Sequence, residues 1–240
     1  MAKLEVHPLM RTIVEYPDAD LPRLVYADWL DEQDDPKLAI LAEAIRLEIE
    51  RVSLPPGSPR FDELAARWHE LFTRDRTALL PPLPKWAVAS VTCERGLPQR
   101  LYCTLKRFAE GGARVLDFVP ITAVHLAALP DHQAVDAGYA VPSFARPELR
   151  RVRKLSVMAT LDAPAFVSLC ESTAIANLRE LEFDLRQLPN EAARVLVRSS
   201  ERFSRLERLS INSTALVSRK SRTALLEAFG DRFRFKTHPT

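Results

Sequence analysis

A short acidic run is the first group of residues whose types and spacing could do chemistry. Asp31-Glu-Gln-Asp-Asp-Pro36 places several carboxylates where a calcium loop could begin. An EF-hand loop requires glycine at its sixth position and a carboxylate at its twelfth. Counted from Asp31, those positions hold Pro36 and Ala42, so we interpret the run as a solvated, helix-capping segment.

The histidines do not form a recognisable metal motif. His69-Glu70 is followed by Leu71-Phe72-Thr73, so the HExxH zinc helix is not completed. The remaining histidines have no cysteine or histidine at a metal-ligand spacing, and they are His7, His125, His132 and His238. The sequence therefore predicts no metal site.

Phosphate-binding and nucleophile motifs are also missing from the sequence. The chain has only six glycines and contains neither a Walker loop nor GxGxxG. No GxSxG nucleophile elbow occurs. We therefore predict no catalytic residue and no cofactor, and expect that the protein is not an enzyme.

Composition indicates a soluble protein. With 240 residues and 47% hydrophobic content, the chain can bury a core in one domain or two. No apolar stretch approaches the roughly 20 residues needed to cross a bilayer, and the N-terminus lacks a signal-peptide apolar core. Cys93 and Cys103 could pair, but reduced thiols are favoured for these and for Cys170. We expect a cytoplasmic protein without a membrane partner.

Charge divides the chain into two parts. Residues 1–80 carry 10 Lys and Arg against 16 Asp and Glu, a net charge of −6, whereas residues 81–240 carry 24 against 16, a net charge of +8. The division coincides with Pro81-Pro-Leu-Pro84, which cannot continue a helix. We predict a helical domain over 1–80 and a second domain over 81–240.

The first part has the pattern of helices. Asp20 and Asp35 are predicted to cap two of them, because each precedes a proline in the first turn. The segment Arg23-Leu-Val-Tyr-Ala-Asp-Trp-Leu30, with Asp35-Pro36 and Ile45-Arg46-Leu47, resembles the bacterial repeat-companion domain over about residues 8–52. That family often precedes leucine-rich repeats, and the resemblance implies a domain layout but no activity. We expect Asp28 and Arg46 to form a buried or semi-buried ion pair between two helices, with ligand binding as the alternative role.

The second part repeats an apolar triplet spaced three residues and then two. The steps between the first members are 31, 26 and 28 residues. The triplets are Ile121, Val124, Leu126; Val152, Leu155, Val157; Leu178, Leu181, Phe183; and Leu206, Leu209, Ile211. The pattern resembles leucine-rich repeats, whose units must stack to bury their apolar faces. The asparagine that this family usually carries in its turns is replaced here, so we expect irregular turns. The replacing residues are Leu129, Thr160, Arg186 and Thr214.

The predicted fold is therefore α/β, with an N-terminal helical domain followed by a short leucine-rich-repeat-like solenoid that has a parallel sheet and terminal caps. Residues that flank the inner apolar positions should point outward, onto the concave face, because neighbours in a strand alternate. They form three columns: Ala123, Lys154, Glu180, Arg208; His125, Ser156, Glu182, Ser210; and Ala127, Met158, Asp184, Asn212. The first column is either an inter-strand charge ladder or part of a binding patch.

Two functions remain open. The first is a non-enzymatic adaptor that binds a protein partner through the concave strand face or the acidic helical domain. The predicted partner-binding residues are Lys154, Glu180, Arg208, His125, Ser156, Glu182, Ser210, Met158, Asp184 and Asn212. The alternative is a nucleic-acid-associated protein whose basic C-terminal part contacts phosphates.

Overall fold

The computed structural model of the chain describes residues 7–127, 137–158, 161–185, 190–213 and 217–237. It is an α/β protein whose strands are mostly parallel. The chain forms two compact units: unit 1 comprises residues 1–101 and 115–121, and unit 2 comprises residues 102–114 and 122–240. None of the described helices is both long and apolar enough to span a membrane.

Unit 1 contains helices and one hairpin. Its helices are α1 (Pro8–Glu15), α2 (Asp20–Asp31), α3 (Pro36–Val52), α4 (Pro59–Arg74) and α5 (Lys85–Val88). Strand β1 (Val91–Glu94) pairs antiparallel with β2 (Leu97–Thr104), which continues into unit 2. A short 3-10 helix, Gly112–Asp117, also crosses the division.

Local sequence explains where these helices begin. The Asp35 carboxylate accepts a hydrogen bond from the Lys37 amide at 2.8 Å, as predicted, and caps α3. The prediction for Asp20 was wrong, because Ala19 occupies the N-cap of α2 and Asp20 is the first helical residue. An acidic residue in the first helical turn still complements the helix dipole.

Apolar faces of α1, α2 and α3 enclose the core of unit 1. Its buried members include Ile13, Ala27, Leu30 and Ile45. Arg23 is also completely buried, and its Nη2 donates to the Pro17 carbonyl at 2.6 Å. Burial, followed by the charge of Arg95, lowers the pKa of Arg23 to about 10, so it remains charged at neutral pH.

The turn of the hairpin lies directly against α3. Arg95 and Gly96 both have positive φ, at 53° and 76°. A Cβ at Gly96 would lie 2.3 Å from the Ile45 Cα. Glycine at this position therefore permits both the left-handed turn and the close approach of two backbones.

Unit 2 alternates strands with helices. Its strands after β2 are β3 (Ala123–Ala127), β4 (Lys154–Met158), β5 (Glu180–Leu185), β6 (Arg208–Ser213) and β7 (Phe233–Thr237). Its helices are α6 (Leu105–Ala109), α7 (Ala137–Phe144), α8 (Ala163–Glu171), α9 (Asn190–Arg198) and α10 (Arg219–Phe229). Short 3-10 helices span Pro147–Arg151, Thr173–Ile175, Ser200–Phe203 and Gly230–Arg232.

Strands β3 to β7 pair in parallel in chain order. A hydrogen-bond pattern recurs at the start of the first three pairings, where one carbonyl accepts from two successive amides at the beginning of the next strand. The acceptors are Thr122, Arg153 and Arg179, and the first donors are Arg153, Arg179 and Glu207, each at 2.7 Å. These contacts join residues 31, 26 and 28 positions apart, which equals the spacing of the apolar triplets.

The second and third members of each triplet form the apolar side of strands β3 to β6. Leu155, Leu181 and Leu209 are at most 1% exposed, as predicted, and every other member of the four triplets is also buried. Phe166 on α8 packs against Phe183 on β5, with ring centroids 5.2 Å apart. The predicted turn positions Leu129, Thr160, Arg186 and Thr214 lie outside the described residues.

A candidate interaction face on the parallel strands

The strands of unit 2 place the predicted columns in register. Ala123, Lys154, Glu180 and Arg208 are successive partners across β3 to β6, and so are His125, Ser156, Glu182 and Ser210. In the third column, Ala127 pairs with Met158 and Asp184 pairs with Asn212. We use the name strand face for the ten predicted partner-binding residues together with Arg234 and Tyr102.

Strand β5 carries carboxylates on this face, flanked by cations on its neighbours. Glu180 Oε2 lies 3.0 Å from Lys154 Nζ and 3.8 Å from Arg208 Nη1. The Glu180 carboxylate therefore pairs with both cations. The side chains of Lys154, Glu180 and Arg208 keep 32%, 34% and 59% of their surface exposed, so the pairs stabilise the fold little.

Glu182 is held differently from Glu180. Its Oε2 accepts from Ser156 Oγ at 3.1 Å, and its Oε1 accepts from Asn212 Nδ2 at 2.9 Å. Both donors are neutral, and none of the described cations pairs with Glu182. The carboxylate is thus fixed in place by two hydrogen bonds while its charge is not neutralised.

The columns are not uniformly exposed. Ser156 lies on the predicted side of the strands, because its hydroxyl bonds Glu182 of the same column, but it is only 2% exposed. Its burial was not predicted, and Ser156 therefore offers almost no surface to a partner. His125 is half-buried and stacks on Tyr102, with ring centroids 4.5 Å apart. Met158 remains 49% exposed, which is unusual for a large apolar side chain on a strand.

Two members of this surface were not included among the predicted residues. Arg234 on β7 pairs in register with Ser210, and it lines a cavity of about 270 Å³ with Lys154, Glu180, Glu182 and Arg208. Tyr102 is 43% exposed and covers His125. Extending the column by one more strand would have found Arg234, whereas no repeat pattern includes Tyr102.

The acidic helical part presents ion pairs on its surface. Arg46 lies 2.7 Å from Asp28 and 2.7 Å from Asp31, between α3 and α2. The predicted pairing of Asp28 with Arg46 is present, but the Asp28 side chain is 69% exposed, so the pair is not buried. Hydrogen bonding to Asp28 is the largest cause that raises the pKa of Arg46.

The remaining chemistry of the chain is sparse. All three cysteines are free thiols. Burial raises the pKa of Cys93 and of Cys103 to about 12 and that of Cys170 to about 11, so all three are protonated at neutral pH. Within the described ranges, no group of three or more His, Cys, Asp or Glu side chains is placed to hold a metal ion.

The described fold defines the protein as a mixed α/β chain with a polar, partly charged face on parallel strands. No protein-family model, curated protein or solved structure matches the sequence or the fold.

Proposed function

We propose that the protein is a non-enzymatic adaptor that binds a protein partner through the strand face. In this proposal unit 2 is a short leucine-rich-repeat-like solenoid, and the helical segment before it is a repeat-companion-like domain. The recurring backbone contacts of the parallel strands support the solenoid, because stacked units of similar spacing produce such a pattern.

The observation that carries the proposal is the position of Glu182. The structure holds this carboxylate rigidly with Ser156 and Asn212 but gives it no cation. A charge fixed in place without a counter-ion binds a complementary group without further loss of side-chain entropy. The neighbouring cations Arg208 and Arg234 provide the opposite sign within the same cavity.

The charge arrangement indicates the kind of partner surface. A protein surface that alternates basic and acidic residues could pair with β5 and with its flanking cations together. Complementary charges of this kind determine specificity and association rate more than affinity. The exposed Met158 adds an adaptable apolar contact.

Site-specific photo-crosslinking in the native cell tests this proposal. A photo-reactive phenylalanine analogue at position 158 should capture a discrete protein. The matched control carries the analogue at Leu226 on α10, which is 54% exposed, compared with 49% for Met158. Capture of the same proteins from both positions, or of none from position 158, would contradict the proposal.

A basic groove favours the second candidate, a nucleic-acid-associated protein. The groove lies between α9 and α10, has a volume of about 460 Å³ and includes Arg198 and Lys220 among its lining residues. Neither of these cations pairs with a carboxylate among the described residues. Arg194, also in the groove, is paired with Glu191 at 3.2 Å.

A gel-shift titration separates the two candidates. If the groove contacts phosphates, affinity for generic DNA or RNA should fall linearly with salt on a log–log scale. The double change Arg198→Gln and Lys220→Gln should then weaken binding. We expect no shift at low salt, because the groove includes Glu191 among its lining residues and no aromatic ring on which a base could stack.

A further inference from the structure

A small apolar cavity lies within unit 1, apart from the strand face. Its volume is about 240 Å³, and its walls come from α3, α4, the segment that follows α4, and the β1 hairpin. Trp68 and Phe72 stack on one side with ring centroids 5.0 Å apart. The other apolar lining side chains are Ala44, Leu79, Leu80 and Val91.

One cation lies at this cavity. The Arg76 guanidinium carbon is 5.4 Å from the centre of the Phe72 ring, and the Arg76 side chain also lines the cavity. Arg67 on α4 pairs with Glu43 and Glu70. By contrast, no carboxylate in the described part of the chain pairs with Arg76.

The only sulfur in the wall is not a nucleophile. Burial, reinforced by the charge of Glu48, raises the pKa of Cys93 to about 12, although Arg76 opposes this shift. A thiol with so high a pKa is protonated at neutral pH and behaves as a small apolar group. The cavity therefore presents mainly apolar side chains, the hydroxyl-bearing Thr92 and one cation, Arg76.

We propose that this cavity binds a small aromatic carboxylate, with the ring between the apolar walls and the carboxylate on Arg76. An apolar cavity of about 150 Å³ holds benzene, so 240 Å³ accommodates a substituted ring. The volume is below the roughly 300 Å³ at which pockets for drug-sized ligands begin. Trp68 and Phe72 provide ring-stacking surfaces, and guanidinium forms the strongest pairs with carboxylates.

Two probes of nearly equal shape test the proposal on the full chain. Phenylacetate carries the proposed charge, and phenylacetamide lacks it. We expect millimolar phenylacetate to shift the indole N–H resonance of Trp68 but not that of Trp29, which does not line the cavity. Phenylacetamide should bind about tenfold more weakly, because a charge-assisted hydrogen bond is lost.

Two glutamine substitutions identify the cation. Arg76→Gln should weaken phenylacetate binding by about tenfold and leave phenylacetamide binding unchanged. Arg74→Gln is the matched control, because Arg74 ends α4, is exposed and does not line the cavity. No Trp68 shift, equal binding of the two probes, or an equal loss in both variants would overturn the proposal.

Discussion

The contacts that join neighbouring elements differ between the two units. In unit 1, single ion pairs join helices, as when Arg46 links α3 to α2 and Arg67 links α4 to α3. In unit 2, one backbone pattern recurs at Thr122, Arg153 and Arg179. Contacts that recur along the chain are accompanied by a repeated spacing of residue types in the sequence, whereas a contact that occurs once is not.

The two candidate binding sites differ in the same way. The strand face of unit 2 is assembled from equivalent positions on successive strands. The cavity of unit 1 is assembled from Ala44, Trp68, Arg76 and Cys93, which share no pattern. Substitutions in the two units should therefore have consequences of different size.

The largest effect is expected in the repeated core. Leu181 is 1% exposed between the in-register positions Leu155 and Leu209, so Leu181→Ala should lower the free energy of unfolding by about 2–5 kcal/mol. Urea denaturation followed by circular dichroism measures this change. An unchanged denaturation midpoint would show that Leu181 does not belong to the core.

A glycine pair tests the single contacts of unit 1. Gly96 and Gly57 both have positive φ, but a Cβ at Gly96 meets Ile45 at 2.3 Å whereas a Cβ at Gly57 meets nothing within 4 Å. Both alanine variants incur backbone strain, and Gly96→Ala should cost about 1–3 kcal/mol more because of overpacking. Equal thermal unfolding of the two variants would show that the hairpin does not contact α3 closely.

The pH dependence of stability tests the burial of Cys93. Its pKa is raised in the folded protein from 9.0 to about 12, so the unfolded chain loses its proton first as the pH rises. This contribution to stability is complete below pH 9 and is lost as the pH rises toward 12. When the pH rises from 8 to 10, the free energy of unfolding should fall in both proteins. The fall should be smaller in a Cys93→Ser variant than in the unsubstituted protein, by on the order of 1 kcal/mol. If unfolding free energy depended on pH in the same way in both proteins, the burial of Cys93 would be contradicted.

The smallest effect concerns the charges of the strand face. Glu180→Gln removes the common partner of Lys154 and Arg208, yet all three side chains are substantially exposed. Unfolding free energy should change by less than about 1 kcal/mol. A larger loss would mean that the first column is a structural charge ladder and would weaken its role in binding.

The parts of the structure that could be predicted from the sequence are mostly those with a repeated residue pattern. The strands β3 to β6, their parallel pairing and the burial of Leu181 and Leu209 followed from the period, the alternation and the resemblance to leucine-rich repeats. The burial of Ser156 did not follow, because alternation along a strand predicts which face a side chain lies on and not how far its neighbours cover it. The buried Arg23 and the Gly96 contact were missed, since each depends on one tertiary neighbour.

Binding of the partner captured at position 158 tests the strand face most directly. The face variant combines Met158→Lys, Asp184→Lys and Arg208→Glu, which are described positions with solvent-accessible side chains. The control combines Leu226→Lys, Glu191→Lys and Arg194→Glu on α10 and α9, which gives the same net change in charge. Calorimetry should show at least a tenfold loss of affinity for the face variant and none for the control, with both folds intact. Unchanged affinity in the face variant would contradict the account.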